Sequence, residues 1–337
     1  MPDPGPDARN KGPWRESSRG GTAGCARSAG SDRETMTELQ APDANGFRTG
    51  FLAIVGRPNV GKSTLLNHLI GQKISITSRK AQTTRHRVNG VLTNDTHQFV
   101  FVDTPGFQKQ HSNALNRAMN RSVTQALGDV DVVLFVIEAG KLTAADRAVM
   151  ELLPSQIPVV LVINKVDRIA DKRQLLPFIA TVAAEREFAA VVPLSAETGA
   201  NADELLKACG PLLPEQPAIF DADDITDRSE RFLAAEFIRE KLFRLLGEEL
   251  PYGLAVEIEK FEIDGPVRRI FAAIIVDRPS HKAMVIGRGG EKLKRVSSEA
   301  RVDLEKLFGG PVYLEVWVKV KGGWADDERA LKSLGIE

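Results

Sequence analysis

The stretch Gly56 to Ser63, reading GRPNVGKS, constrains this chain more than any other. It follows the apolar run Phe51-Leu52-Ala53-Ile54-Val55 and opens a helical run, Thr64 to Ile70. Strand, glycine turn and helix in that order are the context a phosphate-binding loop requires. Gly56 and Gly61 let the backbone curl so that successive amides face one point, and the positive end of the following helix reinforces them. Arg57, Pro58, Asn59 and Val60, with Thr64 just inside the helix, complete the expected cradle. Lys62 is placed to reach the β- and γ-phosphates, and the Ser63 hydroxyl to ligate Mg²⁺.

At 337 residues the chain suits two domains plus a tail. Lys plus Arg equals Asp plus Glu, 45 against 45, so a basic binding site must be local. The two cysteines, Cys25 and Cys209, give no disulfide framework and suit a reducing cytoplasm. The longest apolar run, Val132 to Ala139, is broken by Glu138 and falls far short of the roughly 20 residues of a membrane helix. Residues 1–47 are rich in Gly, Pro, Ser, Arg and Asp and read as a disordered tail, with translation starting at Met1 or Met36. The tail has no apolar core of a secretory signal, and its Asp3, Asp7, Glu16, Asp32 and Glu34 argue against a mitochondrial transit peptide.

Residues 48–214 read as the first domain. The polar stretch Gln72 to Arg87 lies between the loop's helix and the next strand, where it can close over a γ-phosphate. Thr84, rather than Thr83, is expected to complete the Mg²⁺ shell. Two β runs follow, Arg87 to Thr93 and Gln98 to Val102, and the second ends in Asp103-Thr104-Pro105-Gly106. Asp103, about 40 residues after Lys62, would hold the metal through water, and the Gly106 amide would meet the γ-phosphate. Phe107 stands where a Ras-like switch carries a glutamine that orients the attacking water, which phenylalanine cannot do.

A helix from Ser112 to Leu127, strand Val130 to Ile137, a helix around Ala144 to Leu153 and strand Val159 to Ile163 lead to Asn164-Lys165-Val166-Asp167. The Asp167 carboxylate can accept from both N1–H and the N2 amine of guanine. Adenine lacks that donor pair, so a site built on it discriminates strongly. Asn164 would brace the loop and the Lys165 stem would cover the base. After helix Lys172 to Arg186 and strand Ala189 to Leu194 come Ser195 and Ala196, whose amide is expected on guanine O6. A helix from Ala202 to Leu213 closes a mostly parallel sheet with helices on both faces. Every motif falls just after a strand end, where such sheets bind ligands.

Residues 215–227, rich in proline and acid, read as a linker. Residues 228–322 restart the pattern and 323–337 read as a C-terminal tail. Glu230 to Leu246 repeats apolar residues at helical spacing. Strands Gly253 to Ile263 and Val267 to Val276, joined by Asp264-Gly265-Pro266, form a hairpin. In the first of them Val256, Ile258, Phe261 and Ile263 largely alternate. His281 to Ile286, the turn Gly287-Arg288-Gly289-Gly290, a basic helix to Leu307 and strand Tyr313 to Val320 complete the order. A GxxG between helices lets a nucleic-acid backbone approach closely, as KH modules do. Lys282, Ile286, Arg288, Lys292, Lys294 and Arg295 surround it, opposed by Glu291 alone, which gives the local basic patch.

Together these pieces resemble the bacterial Era GTPases of the TrmE–Era branch, from about Gly50 to Val320. GRPNVGKST, the run Gln82 to Arg87, DTPG, NKVD, LSA and VIGRGGEKLK carry the resemblance. It implies an α/β Ras-like P-loop GTPase domain followed by an α+β type II KH domain. It also implies GTP/GDP and Mg²⁺ as ligands, and GTP hydrolysis coupled to maturation of the small ribosomal subunit. Its partner would be the 3′ end of the small-subunit rRNA, with peripheral contact to the inner face of the cell membrane also found in the family. Lys62, Thr84, Gly106 and Asn59 become the catalytic set, Asn59 because its counterpart in related members helps hold K⁺. Arg288 departs from the lysine common in the family but keeps the charge. No heptad or exposed apolar strand suggests anything but a monomer. A passive RNA-binding assembly factor with structural nucleotide, and a P-loop ATPase, are the readings set against this one.

Overall fold

The computed structural model describes residues 46–78, 80, 83–107, 114–246 and 253–333. Most of the expected tail 1–47, with Gln82, the expected helix start at Ser112 and residues 334–337, lies outside them.

A six-stranded sheet carries the first half. Its strands are β1 (Arg48–Val55), β2 (Val88–Thr93), β3 (His97–Asp103), β4 (Val132–Glu138), β5 (Val159–Asn164) and β6 (Ala190–Pro193), in the order β2-β3-β1-β4-β5-β6. Only β2 runs antiparallel to its neighbour. The central strands are apolar on both faces, as strands covered on both sides must be. Leu52 and Ile54 pack with α1 (Lys62–Ile70) and α5 (Ala202–Cys209), while Ala53 and Val55 pack with α2 (Ala114–Gly128), α3 (Ala144–Met150) and α4 (Leu175–Ala183). Parallel register brings Ile54 beside Asp103 and Glu138 beside Asn164, so the functional motifs leave the sheet at one end.

The second half is a three-stranded sheet, β7 (Leu254–Asp264), β8 (Val267–Val276) and β9 (Val312–Val320), with β8 antiparallel to β7 and parallel to β9. Helices α6 (Glu230–Leu245) and α8 (Glu291–Phe308) bury Leu233, Phe237, Ala300 and Leu304 against it. Helix α7 (Pro279–Ile286) precedes the glycine turn. In β7 the apolar phase slips by one between Ile258 and Phe261, and a bulge sits there, between Ile258 and Lys260.

Three segments depart from the sequence expectation. The acidic stretch after Pro214 is strapped to the sheet edge: Gln98 bonds Ile219 N, Phe220 N and Phe220 O, and Thr226 donates to Asn89 O at 2.6 Å. Phe47, placed in the tail, is buried, and its carbonyl accepts from Gln216 N. The stretch from residue 323, also read as tail, contains α9 (Glu328–Ser333) and is packed rather than loose. Trp324, Ala330 and Leu331 are buried with Leu115 and Met119 of α2 and Ile275 of β8. One tryptophan carries enough apolar area to order a short polar segment.

Candidate active site and nucleic-acid interface

The loop after β1 is shaped by contacts that exclude side chains. A Cβ on Gly61 (φ 102°) would meet Asn164 Nδ2 at 2.3 Å, and one on Gly56 would meet Val136 O at 2.4 Å. Lys62 is buried and donates to Gly56 O at 3.0 Å and Arg57 O at 3.1 Å, closing the loop on itself. Burial pushes its ammonium down to about 8, against the pull of Asp103. The Arg57 guanidinium is engaged by Asp146 at 3.1 Å and Glu138 at 3.3 Å, so only its backbone is left to the expected cradle. Thr143 and Asp146 form a capping box on α3, which fixes the carboxylate that holds Arg57.

Three oxygen donors converge beside Lys62. Ser63 Oγ lies 2.8 Å from Thr84 Oγ1 and donates to Asp103 Oδ2 at 2.7 Å, and Thr84 Oγ1 lies 3.4 Å from the same carboxylate oxygen. Asp103 Oδ1 is buried and accepts no hydrogen bond from the described residues. Burial raises the Asp103 pKa, opposed by the hydroxyls and Lys62. A hard oxygen set with one orphaned carboxylate oxygen fits Mg²⁺. Sequence reading missed Ser75, which also donates to Asp103 Oδ2 at 2.8 Å. Asn67 of α1 fixes Ser75 through both its backbone N–H and its carbonyl. Ser75 lies between Ile74 and Ile76, both buried, in a loop whose sequence does not mark it as a partner of Asp103.

Thr104 Oγ1 donates to Ile54 O at 2.9 Å, tying the Asp103–Gly106 turn to β1. A Cβ on Gly106 would meet the Pro58 backbone at 3.0 Å, so the turn lies directly on the phosphate loop. Phe107 is half-buried and packs against the edge of the core cluster that includes residues of α2 and α3.

At the base end, Asn164 joins three loops. Its Nδ2 donates to Val60 O at 2.8 Å, while its Oδ1 accepts from Lys165 N at 2.7 Å and Ala196 N at 2.9 Å. The Ala196 amide, expected on guanine O6, thus has a different partner here. Ser195 Oγ donates to Asp167 Oδ1 at 2.5 Å, aligning the carboxylate. Lys165 (φ 67°) reaches Asn59 O at 2.6 Å and Glu138 at 3.1 Å. Burial alone would raise Glu138, but hydrogen bonds from Lys141 and Lys165 outweigh it and hold the carboxyl at about 2. Asn59, Lys165, Asp167 and Ala196 line a cleft of about 980 Å³, which Phe243 and Arg244 of α6 also reach. A mononucleotide fits such a volume.

The second site is of another kind. Gly287, Gly289 and Gly290 all have positive φ (75°, 58° and 81°), the left-handed region that favours glycine, and the space beside Gly289 and Gly290 is open. Lys282, Arg288, Lys292 and Lys294 are exposed and make no ion pair with the described residues; Ile286 is half-buried at the end of α7. Arg295 is the exception, held by Glu299 at 2.7 Å.

Comparison with known proteins agrees with both halves. Residues 51–165 match the model of the 50S ribosome-binding GTPase family, and residues 249–325 match a KH domain. GTPase Era of Chromobacterium violaceum is 62% identical over 291 residues, covering 86% of this chain and 98% of that protein. GTPase Era of Nitrosomonas eutropha is 58% identical over 294 residues, covering 87% and 99%. Two solved structures superpose with TM-score 0.83 at 41% identity, covering 86% of this chain and 99% of theirs. One is a variant of Aquifex aeolicus Era bound to GDP.AlF4-; the other is Era with MgGDPNP and nucleotides 1506-1542 of 16S ribosomal RNA. With this extent of identity, the chain belongs to the Era family of GTPases.

Proposed function

We propose that this chain is a GTP-hydrolysing switch that grips the 3′ end of small-subunit rRNA and assists maturation of the small ribosomal subunit. The convergence of Ser63, Thr84 and Asp103 beside buried Lys62 carries the reading. Mg²⁺, on the Ser63 and Thr84 hydroxyls and on Asp103 through water, would neutralise charge developing on the β- and γ-phosphate oxygens. Lys62 exchanges its carbonyl partners for those phosphates, and the Gly106 amide donates to the γ-phosphate. Asp167, aligned by Ser195, reads the guanine edge. The glycine turn with Lys282, Arg288, Lys292 and Lys294 takes the RNA backbone, with Arg295 and Ile286 at its margin. Asn59 is assigned a K⁺ beside the phosphates. The place of work is the cytoplasm, with any contact to the cell membrane peripheral, and no described helix is long and apolar enough to cross one.

GTP turnover with Mg²⁺ tests this, in K⁺ against Na⁺ and with the matching rRNA 3′ end against a scrambled strand. Stimulation by K⁺ and by the matching strand alone is expected. Equal rates in both salts would remove the K⁺ site, and no response to either strand would break the link between domains. Phe107, an apolar side chain half-buried against the core where a water-orienting glutamine would stand, keeps a second reading open: a passive RNA-binding factor with structural nucleotide. Single-turnover hydrolysis that stays negligible with RNA bound would favour it.

A further inference from the structure

We infer that Arg239, on the first helix of the RNA-binding domain, is a positioning residue for GTP hydrolysis: through the Thr83 carbonyl it holds Thr84 against Ser63 and Asp103. This rests on the reading of Thr84 as a metal ligand given above. Arg239 Nη2 donates to Thr83 O, across 156 residues of sequence. Thr83 O lies in the peptide plane that also carries the nitrogen and Cα of Thr84, so fixing that oxygen fixes where the Thr84 side chain starts.

The guanidinium is itself immobile. Its Nε and Nη2 bond the two Glu236 oxygens at 2.7 and 2.5 Å, and it lies over the Phe243 ring at 5.2 Å. The two side chains are 3% and 8% exposed. Burial alone would raise Glu236, but the charge and hydrogen bonds of Arg239 outweigh it and keep the carboxyl low and ionised. A buried ion pair is poor evidence of stability, since desolvation offsets its attraction. Leu233, Phe237 and Leu242 already pack α6. The pair supplies a fixed donor aimed at one carbonyl.

Other contacts from the same domain hold the flanks of this loop. Glu240 takes Lys73 and Thr77 N, and Arg85 donates to Leu254 O at 2.7 Å. Helix α6 packs on α8, which begins at the glycine turn. RNA held at that turn is therefore one helix packing away from the Thr84 peptide.

The test uses the full chain and the variants Arg239→Lys, Glu236→Gln, Thr84→Ala and the Arg239→Lys/Thr84→Ala pair. Lysine keeps the charge but loses the fork. Arg239→Lys is expected to lower kcat and raise the half-saturating Mg²⁺ by about tenfold each, with KM for GTP within about twofold. Hydrogen exchange of the 83–88 amides in nucleotide-free protein should rise by about tenfold. Glu236→Gln should move both readouts the same way but less, which covers the case in which Arg239→Lys fails to fold. In the Thr84→Ala background, Arg239→Lys should cost nothing further. Additive losses, or unchanged kcat and exchange, would overturn the inference. If Thr84→Ala alone leaves the Mg²⁺ requirement untouched, the ligand reading falls and takes the inference with it.

Discussion

The two sites of this molecule are built on opposite plans. In the nucleotide site Asp103, Asn164, Lys62 and Thr84 are all buried and hydrogen-bonded before any ligand arrives, Lys62 within its own loop and the others to neighbouring segments. In the glycine turn the cations stand in solvent without ion pairs among the described residues, apart from Arg295. A buried site discriminates because a wrong ligand leaves a desolvated group unpaired. An exposed one adds charge to charge and is screened by salt. Point changes should therefore be severe and specific in the first, and graded in the second.

Asp167 is exposed in the free protein and is covered only when the base lies on it, so Asp167→Asn tests discrimination that the ligand itself completes. An amide cannot accept both guanine N–H groups, and its own N–H₂ would face the guanine amine. GTP affinity is expected to fall by about a thousandfold. Xanthosine triphosphate carries a 2-carbonyl that accepts from the new amide, so it should recover most of the loss. Competition of the three triphosphates GTP, ATP and XTP against a fluorescent guanine nucleotide reads this directly. A small, equal weakening of all of them would mean that the base end is no more selective than the RNA turn.

Lys62 gives the nucleotide site a pH signature. Burial lowers its pKa to about 8 in the free protein, so the ammonium is progressively lost above that pH. Bound phosphate favours the charged form and raises the pKa, so binding takes up a proton in that range. Affinity should be flat below about pH 7.5 and fall by up to tenfold per pH unit above 8. Nucleotide titrations at pH 7, 8 and 9 check it, and a flat profile would show that Lys62 is already charged in the free protein.

The two plans also differ in how far they can be read from the chain. Lys62, Asp103 and Asn164 follow strand ends at fixed spacings, and each spacing is dictated by a sheet whose strands end in register. Even the bulge in β7 shows as a slipped apolar phase. What escaped lies between elements far apart in sequence. Glu236, Arg239 and Glu240 share one stripe of α6 that the apolar spacing left unread, and the loop around Thr84 covers them. Their i, i+3, i+4 spacing was the available signal. Trp324, alone in a polar segment, was another: a large apolar ring there needs something to cover it. The partner of the Ala196 amide had no local signal, since Asn164 reaches it from another strand end.

The smallest expected effect tests the exposed plan most closely. If the cations around the glycine turn act by count, Lys292→Gln and Lys294→Gln should each flatten the slope of log affinity against log salt by about 0.7, the value for one single-strand phosphate. At one fixed salt the loss in each case should be less than about tenfold, and GTP turnover without RNA should not change. Arg288 is the informative comparison, because it alone lies inside the turn, between Gly287 and Gly289. Left-handed glycines on both sides fix the backbone from which its side chain leaves. If Arg288→Gln behaves like its neighbours, the turn is an electrostatic grip and the two sites differ in kind. A loss above a hundredfold that high salt does not erase would instead make Arg288 a positioned ligand. The glycine turn would then share the preorganised logic of the nucleotide loop, another glycine turn that opens a helix.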